Sequence, residues 1–224
     1  MIALTLIGCG SIATHDTARI VTAHSELSAA LVVSQNTSPL LGVVPFPSLD
    51  VVHRRPLGPD SDLGIKLLGG APGIDVRRRL VRRERLDVTL GSAASGGWVP
   101  TGSDVRGIGY LHLTTPVLTT VSLSSNQSLT LAVSPGVRWR TVTASRDGFI
   151  TDGINVAVPL LAAGGRWELG GHRRAMAVSF DLLASPGKGG PTGWAASLQS
   201  TAARLRSRDQ IRRAVRRSAR EARR

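Results

Sequence analysis

The sequence has one cysteine among 224 residues, few aromatic side chains and no long apolar run. Because Cys9 stands alone, the chain can form no intrachain disulfide and no cysteine-based metal site, which favours a reducing compartment such as the cytosol. No stretch of 18 apolar residues occurs, so the hydropathy pattern predicts no membrane span and no membrane partner. Aromatic residues make up 4%. A hydrophobic core therefore has to be built from Val, Leu, Ile and Ala.

Lysine is also scarce, and the positive charge is carried by arginine in two segments. Residues 77–85 contain six arginines and one glutamate, and residues 197–224 contain ten arginines, one aspartate and one glutamate. Together they account for the whole net charge of +13. Concentrated arginine on a neutral body predicts contact with nucleic acid or another polyanion, because guanidinium groups bind phosphate well. The predicted contact residues are Arg77, Arg78, Arg79, Arg82, Arg83, Arg204, Arg206, Arg208, Arg212, Arg213, Arg216, Arg217, Arg220, Arg223 and Arg224.

Residues 107–182 alternate between apolar and polar side chains. A period of two is typical of β-strands, because successive side chains point to opposite faces of a sheet. Gly, Pro, Asn and Asp interrupt the alternation at short intervals, as turns between antiparallel strands require. We therefore predict a mainly β fold, either an antiparallel sandwich or a barrel-like sheet. The pattern includes Val117, Val121, Leu123, Leu129, Leu131, Val133, Met176, Val178, Phe180 and Leu182.

The chain ahead of this core predicts a small β-α-β piece. Residues 1–7 have an alternating apolar pattern, which predicts a strand. Residues 14–30 have roughly helical apolar spacing, and the short β-branched segment 31–33 predicts a second strand. Residues 35–73 and 91–106 are rich in Gly, Pro and Ser, which predicts loops with short extended pieces.

The end of the chain predicts a basic helical tail. Residues 194–224 contain good helix formers and no Gly or Pro. Their apolar positions change face near residue 207, so either two short helices or one continuous helix with two partners fits the pattern. The predicted regions are thus 1–106 (β/α and loop-rich), 107–183 (β core), 184–193 (flexible linker) and 194–224 (basic helical tail).

A glycine-rich turn near the start of the chain contains Gly8, Gly10 and Ala13 in the pattern G-x-G-x-x-A. It resembles the dinucleotide fingerprint of Rossmann oxidoreductases, in which glycines let a pyrophosphate approach a helix N-terminus. The resemblance covers about residues 1–34 and implies a nucleotide-dependent oxidoreductase. The chain has Ser34-Gln35 where that family has an acidic residue.

No catalytic constellation stands out, and the five histidines have no metal-ligand spacing, so we predict no catalytic residue, cofactor or metal. The leading hypothesis is a structural assembly protein, a virus or phage tail or capsid subunit. It would form homo-oligomers or bind other structural subunits, with the arginine-rich arm on nucleic acid or an acidic subunit. It would be assembled in the host cytoplasm and located in the virion. The alternatives are a cytoplasmic nucleic-acid-binding or ribonucleoprotein subunit and the oxidoreductase implied by Gly8–Ala13.

Overall fold

A computed structural model of the chain describes residues 17–21, 25–37, 46–99, 105–146, 149–171, 174–185 and 192–204. Every regular element in these ranges is a β-strand. The strands are β1 (Ser25–Thr37), β2 (Phe46–Pro56), β3 (Ser61–Leu68), β4 (Ala71–Arg82), β5 (Leu86–Val99), β6 (Val105–Thr114), β7 (Val117–Ser124), β8 (Gln127–Arg146), β9 (Phe149–Gly171), β10 (Arg174–Ala184) and β11 (Thr192–Arg204). Within the described ranges, no helix is long and apolar enough to cross a membrane.

All strand pairs are antiparallel, and they close into a ring. The order runs β4-β3-β2-β1-β11-β10-β9-β8-β6-β5, and a further pairing of β4 with β5 joins the two ends of the sheet. Strand β7 also lies between β5 and β8, so it extends β6 rather than adding a position to the ring. The result is a closed, ten-stranded antiparallel β-barrel. Closure satisfies main-chain groups that would otherwise form an exposed sheet edge.

The β6–β7 strand pair is a single path interrupted at Thr115-Pro116. The main-chain carbonyl of Pro116 accepts a hydrogen bond from the Gly91 N–H on β5 (2.8 Å), and Thr115 N–H donates to Pro135 O on β8 (2.9 Å). Gly136 follows on β8, where a Cβ would overlap the main chain of β6. The break in the ladder is therefore held by main-chain bonds to both neighbouring strands, and the absence of a side chain at position 136 makes room for it.

One end of the barrel has short connections, and we name it the turn end. It carries the connections 57–60, 83–85, 125–126 and 172–173, between β2 and β3, β4 and β5, β7 and β8, and β9 and β10. Strand β1 begins and β11 ends there, since Ser25 pairs with Arg204. The longest strands, β8 with 20 residues and β9 with 23, are joined at the opposite end.

The barrel separates side chains by type, with the larger apolar ones outside. One row of directly paired residues crosses six neighbouring strands, and all six are large, apolar and 38–60% exposed. That row is Leu129, Trp167, Val178, Leu198, Leu31 and Leu49. The row one residue away points into the barrel and is polar and buried across β7 to β11. It contains Thr120, Thr130, Arg166, Ser179 and Ser197.

The predicted barrel-like sheet is confirmed, and the predicted helices are not seen. Residues 25–30, expected in a helix, belong to β1 and pair with both β2 and β11. Residues 194–204, expected to start the helical tail, form β11 and pair with β1 and β10. Their Ala, Leu and Gln favour helices in isolation, but the ladder on both sides outweighs this preference. Residues 1–16 and 205–224 lie outside the described ranges.

The loops predicted for residues 35–73 and 91–106 also differ from the structure, which has β2, β3 and much of β5 in these ranges. Pro47, Pro56 and Pro72 lie within strands or at their ends. The glycines of β3 and β5 face neighbouring strands where little room is left. The loop prediction is wrong because it relies on composition alone. In this sheet, prolines lie within strands or at strand ends, and glycines lie where a neighbouring strand leaves no room for a side chain.

Gly136→Ala should lower the free energy of unfolding by about 1–3 kcal/mol, since the added methyl group meets the main chain of β6. Urea unfolding in detergent, followed by tryptophan fluorescence, measures the change. Gly58→Ala is the control, because a Cβ there meets only Ser61 Oγ at 3.5 Å. Equal stabilities of the two variants would contradict the tight approach of β6 and β8 at this position.

Candidate functional site

The lumen of the barrel contains an unusual number of buried polar and charged side chains. Asp62 is 0% exposed and Arg77 is 1% exposed, and both belong to strands whose outward positions are apolar. Small aliphatic side chains fill part of the space between the polar groups, as in the cluster of Ala30, Val32 and Ala195. Buried charges are costly unless they are paired and hydrogen-bonded, so the partners of these groups define the site. The other buried ionic groups are Asp50, Arg54, Asp75, Arg138, Arg166 and Asp181.

Five charged side chains form a chain of ion pairs across β2, β3 and β4. Arg77 binds Asp62 in a bidentate manner, with Nε donating to Oδ1 at 2.9 Å and Nη2 to Oδ2 at 2.6 Å. Arg54 donates to Asp62 Oδ1 at 3.0 Å and to Asp75 Oδ2 at 2.7 Å. Lys66 lies 3.6 Å from Asp75 Oδ1. Each carboxylate thus meets two cations, which offsets the cost of burying it.

Gly64 makes this arrangement possible. It lies directly between Arg54 and Asp75 in the register of β2, β3 and β4. A Cβ at position 64 would overlap Asp75 Oδ1 and come within 3.0 Å of the Arg54 guanidinium. Gly164 plays the same part beside Asp181, whose carboxylate occupies the space that a Cβ would need. Inward glycines therefore give the charged side chains room to reach across the wall.

A short stretch of chain ahead of β1, Thr17–Val21, lies inside the lumen at the turn end. Ala18, Ile20 and Val21 are buried. The groups that contact the segment belong to β3, β4, β5, β7 and β9, near their ends at the short connections. Its bonds include one to each of two members of the ion cluster: Val21 N–H donates to Asp62 Oδ2 at 3.0 Å, and Arg77 Nη1 donates to Thr17 O at 2.5 Å. The cluster therefore binds the segment as well as itself.

Further polar contacts line the rest of the wall. Arg138 Nε donates to His112 Nε2 at 2.5 Å, and Arg166 contacts Gln199 and Glu168, the latter at 2.7 Å. Ser179 and Ser197 share a hydrogen bond of 2.8 Å. The Arg138–His112 and Ser179–Ser197 pairs link neighbouring strands in addition to the main-chain ladder. Arg166 reaches across β10 to Gln199 on β11, and its pair with Glu168 lies within β9. The described residues contain no group of three or more His, Cys, Asp or Glu placed to hold a metal ion.

The predicted polyanion-binding arginines of residues 77–85 do not share one surface, because successive side chains of a strand face opposite ways. Arg77 is inside the lumen, bound to Asp62 and to the segment. Arg79 contacts Asp60 at the turn end, at 3.2 Å. The exposed arginines among the predicted contact residues of this range are Arg78, Arg82 and Arg83. Arg204 ends β11, and the arginines from Arg206 onward lie outside the described residues, as does the Gly8–Ala13 turn. Polyanion binding by the arginines stays a prediction.

The sequence interpretation missed the lumen cluster, although a signal for it exists. Ile74, Asp75, Val76 and Arg77 alternate strictly, with large apolar side chains on one parity and charged ones on the other. In a protein with a water-exposed outer face, that alternation puts the apolar side chains inward. Here it puts Asp75 and Arg77 inward and leaves the apolar side chains exposed. The sequence alone does not show whether the apolar or the charged residues of such an alternation face the interior, and for that reason it does not reveal the site.

No family model matches the chain, and no curated protein matches it. Solved structures with a similar fold include outer membrane protein Ail of Yersinia pestis, at 13% identity over 80% of this chain and 99% of that one, with a TM-score of 0.37. The translocator domain of autotransporter NalP from Neisseria meningitidis is 9% identical over 83% and 90%, with a TM-score of 0.42. Outer membrane protease OmpT from Escherichia coli is 9% identical over 81% and 92%, with a TM-score of 0.39.

The prediction of a virus or phage tail or capsid subunit is wrong, and so are the predicted locations in a virion or the cytoplasm. The described barrel is the ground for this correction, because rows of large apolar side chains face outward around the ring while charged groups such as Asp62, Asp75 and Arg77 are buried inside it. The prediction of no membrane partner fails on the same findings, because it considered only long apolar runs, and a strand alternates. The absence of enzymatic activity and the formation of homo-oligomers stay predictions.

Replacing Arg77 or Asp62 by alanine should each lower the free energy of unfolding by about 3–5 kcal/mol, because the remaining partner stays buried with fewer counter-charges. The double variant should lose less than the sum of the two, by a coupling of about 0.5–3 kcal/mol. Urea unfolding in detergent measures all three.

Asp60→Ala is the matched control, since its carboxylate is 62% exposed and pairs with Arg79 at the rim of the barrel. Its loss should cost no more than about 1 kcal/mol. Additive effects of the Arg77 and Asp62 substitutions would rule out their direct interaction.

Proposed function

We propose that the chain is an integral membrane protein, a β-barrel of a bacterial outer membrane whose lumen is occupied at the turn end by its own Thr17–Val21 segment. The observation that carries the proposal is the outward placement of large apolar side chains around a closed ring of strands. A closed barrel satisfies its main-chain groups internally, which is the condition for crossing a lipid bilayer with strands. An even number of antiparallel strands with apolar residues outside and polar residues inside is typical of outer membrane barrels.

The outward apolar side chains occur on every strand of the barrel. They are 38–60% exposed, whereas soluble monomers seldom expose contiguous apolar patches of more than a few hundred Å². A protein partner covers one side of a barrel, but a bilayer surrounds it, so a bilayer fits this distribution better. One representative from each strand is given by Leu31, Leu49, Leu67, Ile74, Leu90, Leu111, Val121, Leu131, Trp167, Phe180 and Leu198.

We further propose that the turn end faces the periplasm. Outer membrane barrels have short periplasmic turns and longer extracellular connections. At the turn end every connection has two to four residues, whereas the opposite end has, besides two short ones, the connections 38–45, 100–104 and 185–191. The long β8 and β9 then project to the extracellular side, and the segment Thr17–Val21 occupies the periplasmic mouth of the lumen.

Leu131→Arg should destabilise the barrel in phospholipid vesicles by about 2–4 kcal/mol, because it places a cation on the lipid-facing surface away from the turns. Leu57→Arg is the control, since Leu57 is similarly exposed but lies in the β2–β3 connection. Urea unfolding in vesicles compares the two. If the chain were surrounded by water, both substitutions would be nearly neutral, and that outcome would sink the proposal.

Lipids brominated in their acyl chains should quench the fluorescence of outward tryptophans. Trp167 is 43% exposed and lies in the apolar row, so it suits a variant with Trp98, Trp139 and Trp194 replaced by phenylalanine. We expect strong quenching by the brominated lipid and weak quenching by aqueous iodide. The reverse order would show that the outer surface of β9 contacts water.

A further inference from the structure

The segment Thr17–Val21 is held in the lumen mainly through its main chain. Ala18 N–H donates to Thr120 Oγ1 at 2.7 Å, and Ala18 O accepts from Thr89 Oγ1 at 2.5 Å. Arg77 donates to the carbonyls of both Thr17, at 2.5 Å, and Arg19, at 3.3 Å. Val21 N–H donates to Asp62 at 3.0 Å. Five main-chain groups within five residues therefore bind side chains of the wall.

Three of the four wall residues that make these bonds, Asp62, Arg77 and Thr120, are also held by partners of their own. Asp62 is held by Arg54 as well as by Arg77, and Thr120 shares a hydrogen bond of 2.7 Å with Thr130. None of these partners belongs to the segment. The donors and acceptors of the wall are thus oriented by the barrel itself, which lowers the entropy cost of binding a peptide there.

The side chains of Ala18 and Arg19 make specific contacts with the wall, and those of Ile20 and Val21 are also buried. Ala18 is 0% exposed and packs with Leu118 and Ala132, which leaves room for a small residue. Arg19 donates to Ser122 Oγ at 3.1 Å and lies 3.8 Å from Glu168. Since main-chain groups are common to all peptides, the wall recognises the peptide main chain first, and a small residue followed by a basic one second.

We propose that the turn end of the lumen is a binding site for a polypeptide segment, recognised through its main chain, and that Thr17–Val21 is its intramolecular occupant. Another peptide with a small residue followed by a basic one binds the same wall when the resident segment is displaced. The inference concerns the lumen and does not depend on insertion into a membrane. Tethering gives the resident an effective concentration in the millimolar range, so a free peptide competes only when the resident is weakened.

The test uses the full chain in detergent and a fluorescein-labelled synthetic peptide of residues 14–24. Ala18→Pro in the chain removes the N–H that binds Thr120, and Ala18→Leu overfills the pocket beside Leu118, so each weakens the resident. Fluorescence anisotropy should show the peptide binding each variant at least about tenfold more tightly than the unaltered chain, because the competition is relieved. Circular dichroism confirms that the variants keep the β fold.

Two further substitutions, made in the Ala18→Pro chain, show whether the peptide is in the lumen. Thr120→Val removes one hydrogen bond to the peptide and should weaken binding by about three- to tenfold. Thr119→Val is the matched control, since Thr119 is the preceding residue of β7 and faces the other side of the wall; it should leave the affinity unchanged.

Equal affinity of the peptide for the unaltered chain and for both Ala18 variants overturns the proposal, as do equal effects of the Thr119 and Thr120 substitutions. Should neither Ala18 variant keep its β spectrum, the unaltered chain is titrated at about hundredfold higher peptide concentration. Saturable binding that Thr120→Val weakens supports the proposal, and its absence overturns it.

Discussion

The pairing of β4 with β5 is the interaction on which the rest of the structure depends. It turns a sheet with two open edges into a ring, and the ring divides side chains into an enclosed set and an outward set. The enclosed set is too confined for solvent to satisfy its charges, so Asp62, Asp75, Arg54 and Arg77 have to satisfy one another. The outward side chains have no buried charges to pair with and can all be apolar. Both the ion cluster and the apolar exterior thus follow from one ladder of main-chain bonds.

The lumen combines stability and recognition in the same side chains. Arg77 uses one edge of its guanidinium for Asp62 and other donors for the carbonyls of Thr17 and Arg19. Asp62 accepts from two arginines and from the Val21 N–H. The groups that keep the wall together are therefore the ones that bind the segment. Glycines at inward positions make these ion pairs possible, because a side chain at position 64 would separate Arg54 from Asp75.

The sequence predicts the barrel-like β class because alternation in β7, β8 and β10 is strong and the turns are well marked. It does not predict which parity is inward, since Met176, Val178 and Phe180 would fit either a core or an exterior. Roughly helical apolar spacing predicts a helix that includes residues 25–30, and good helix formers without Gly or Pro predict one that includes residues 194–204. The pairing between β1 and β11 overrides both, and it is a contact between distant parts of the chain. The lumen site depends on β2, β3 and β4 meeting one another and the Thr17–Val21 segment, which local patterns cannot indicate.

The position of Thr17–Val21 has a consequence for the order in which the chain folds. The segment precedes β1, yet its partners Asp62 and Thr120 lie 41 and 102 residues further on. Among the pairings of the ring, that of β1 with β11 joins the two strands that are farthest apart in the sequence. Loop-closure entropy makes such distant contacts slow to form. We therefore expect the segment to be in place before the β1–β11 ladder forms, so that the barrel closes around it.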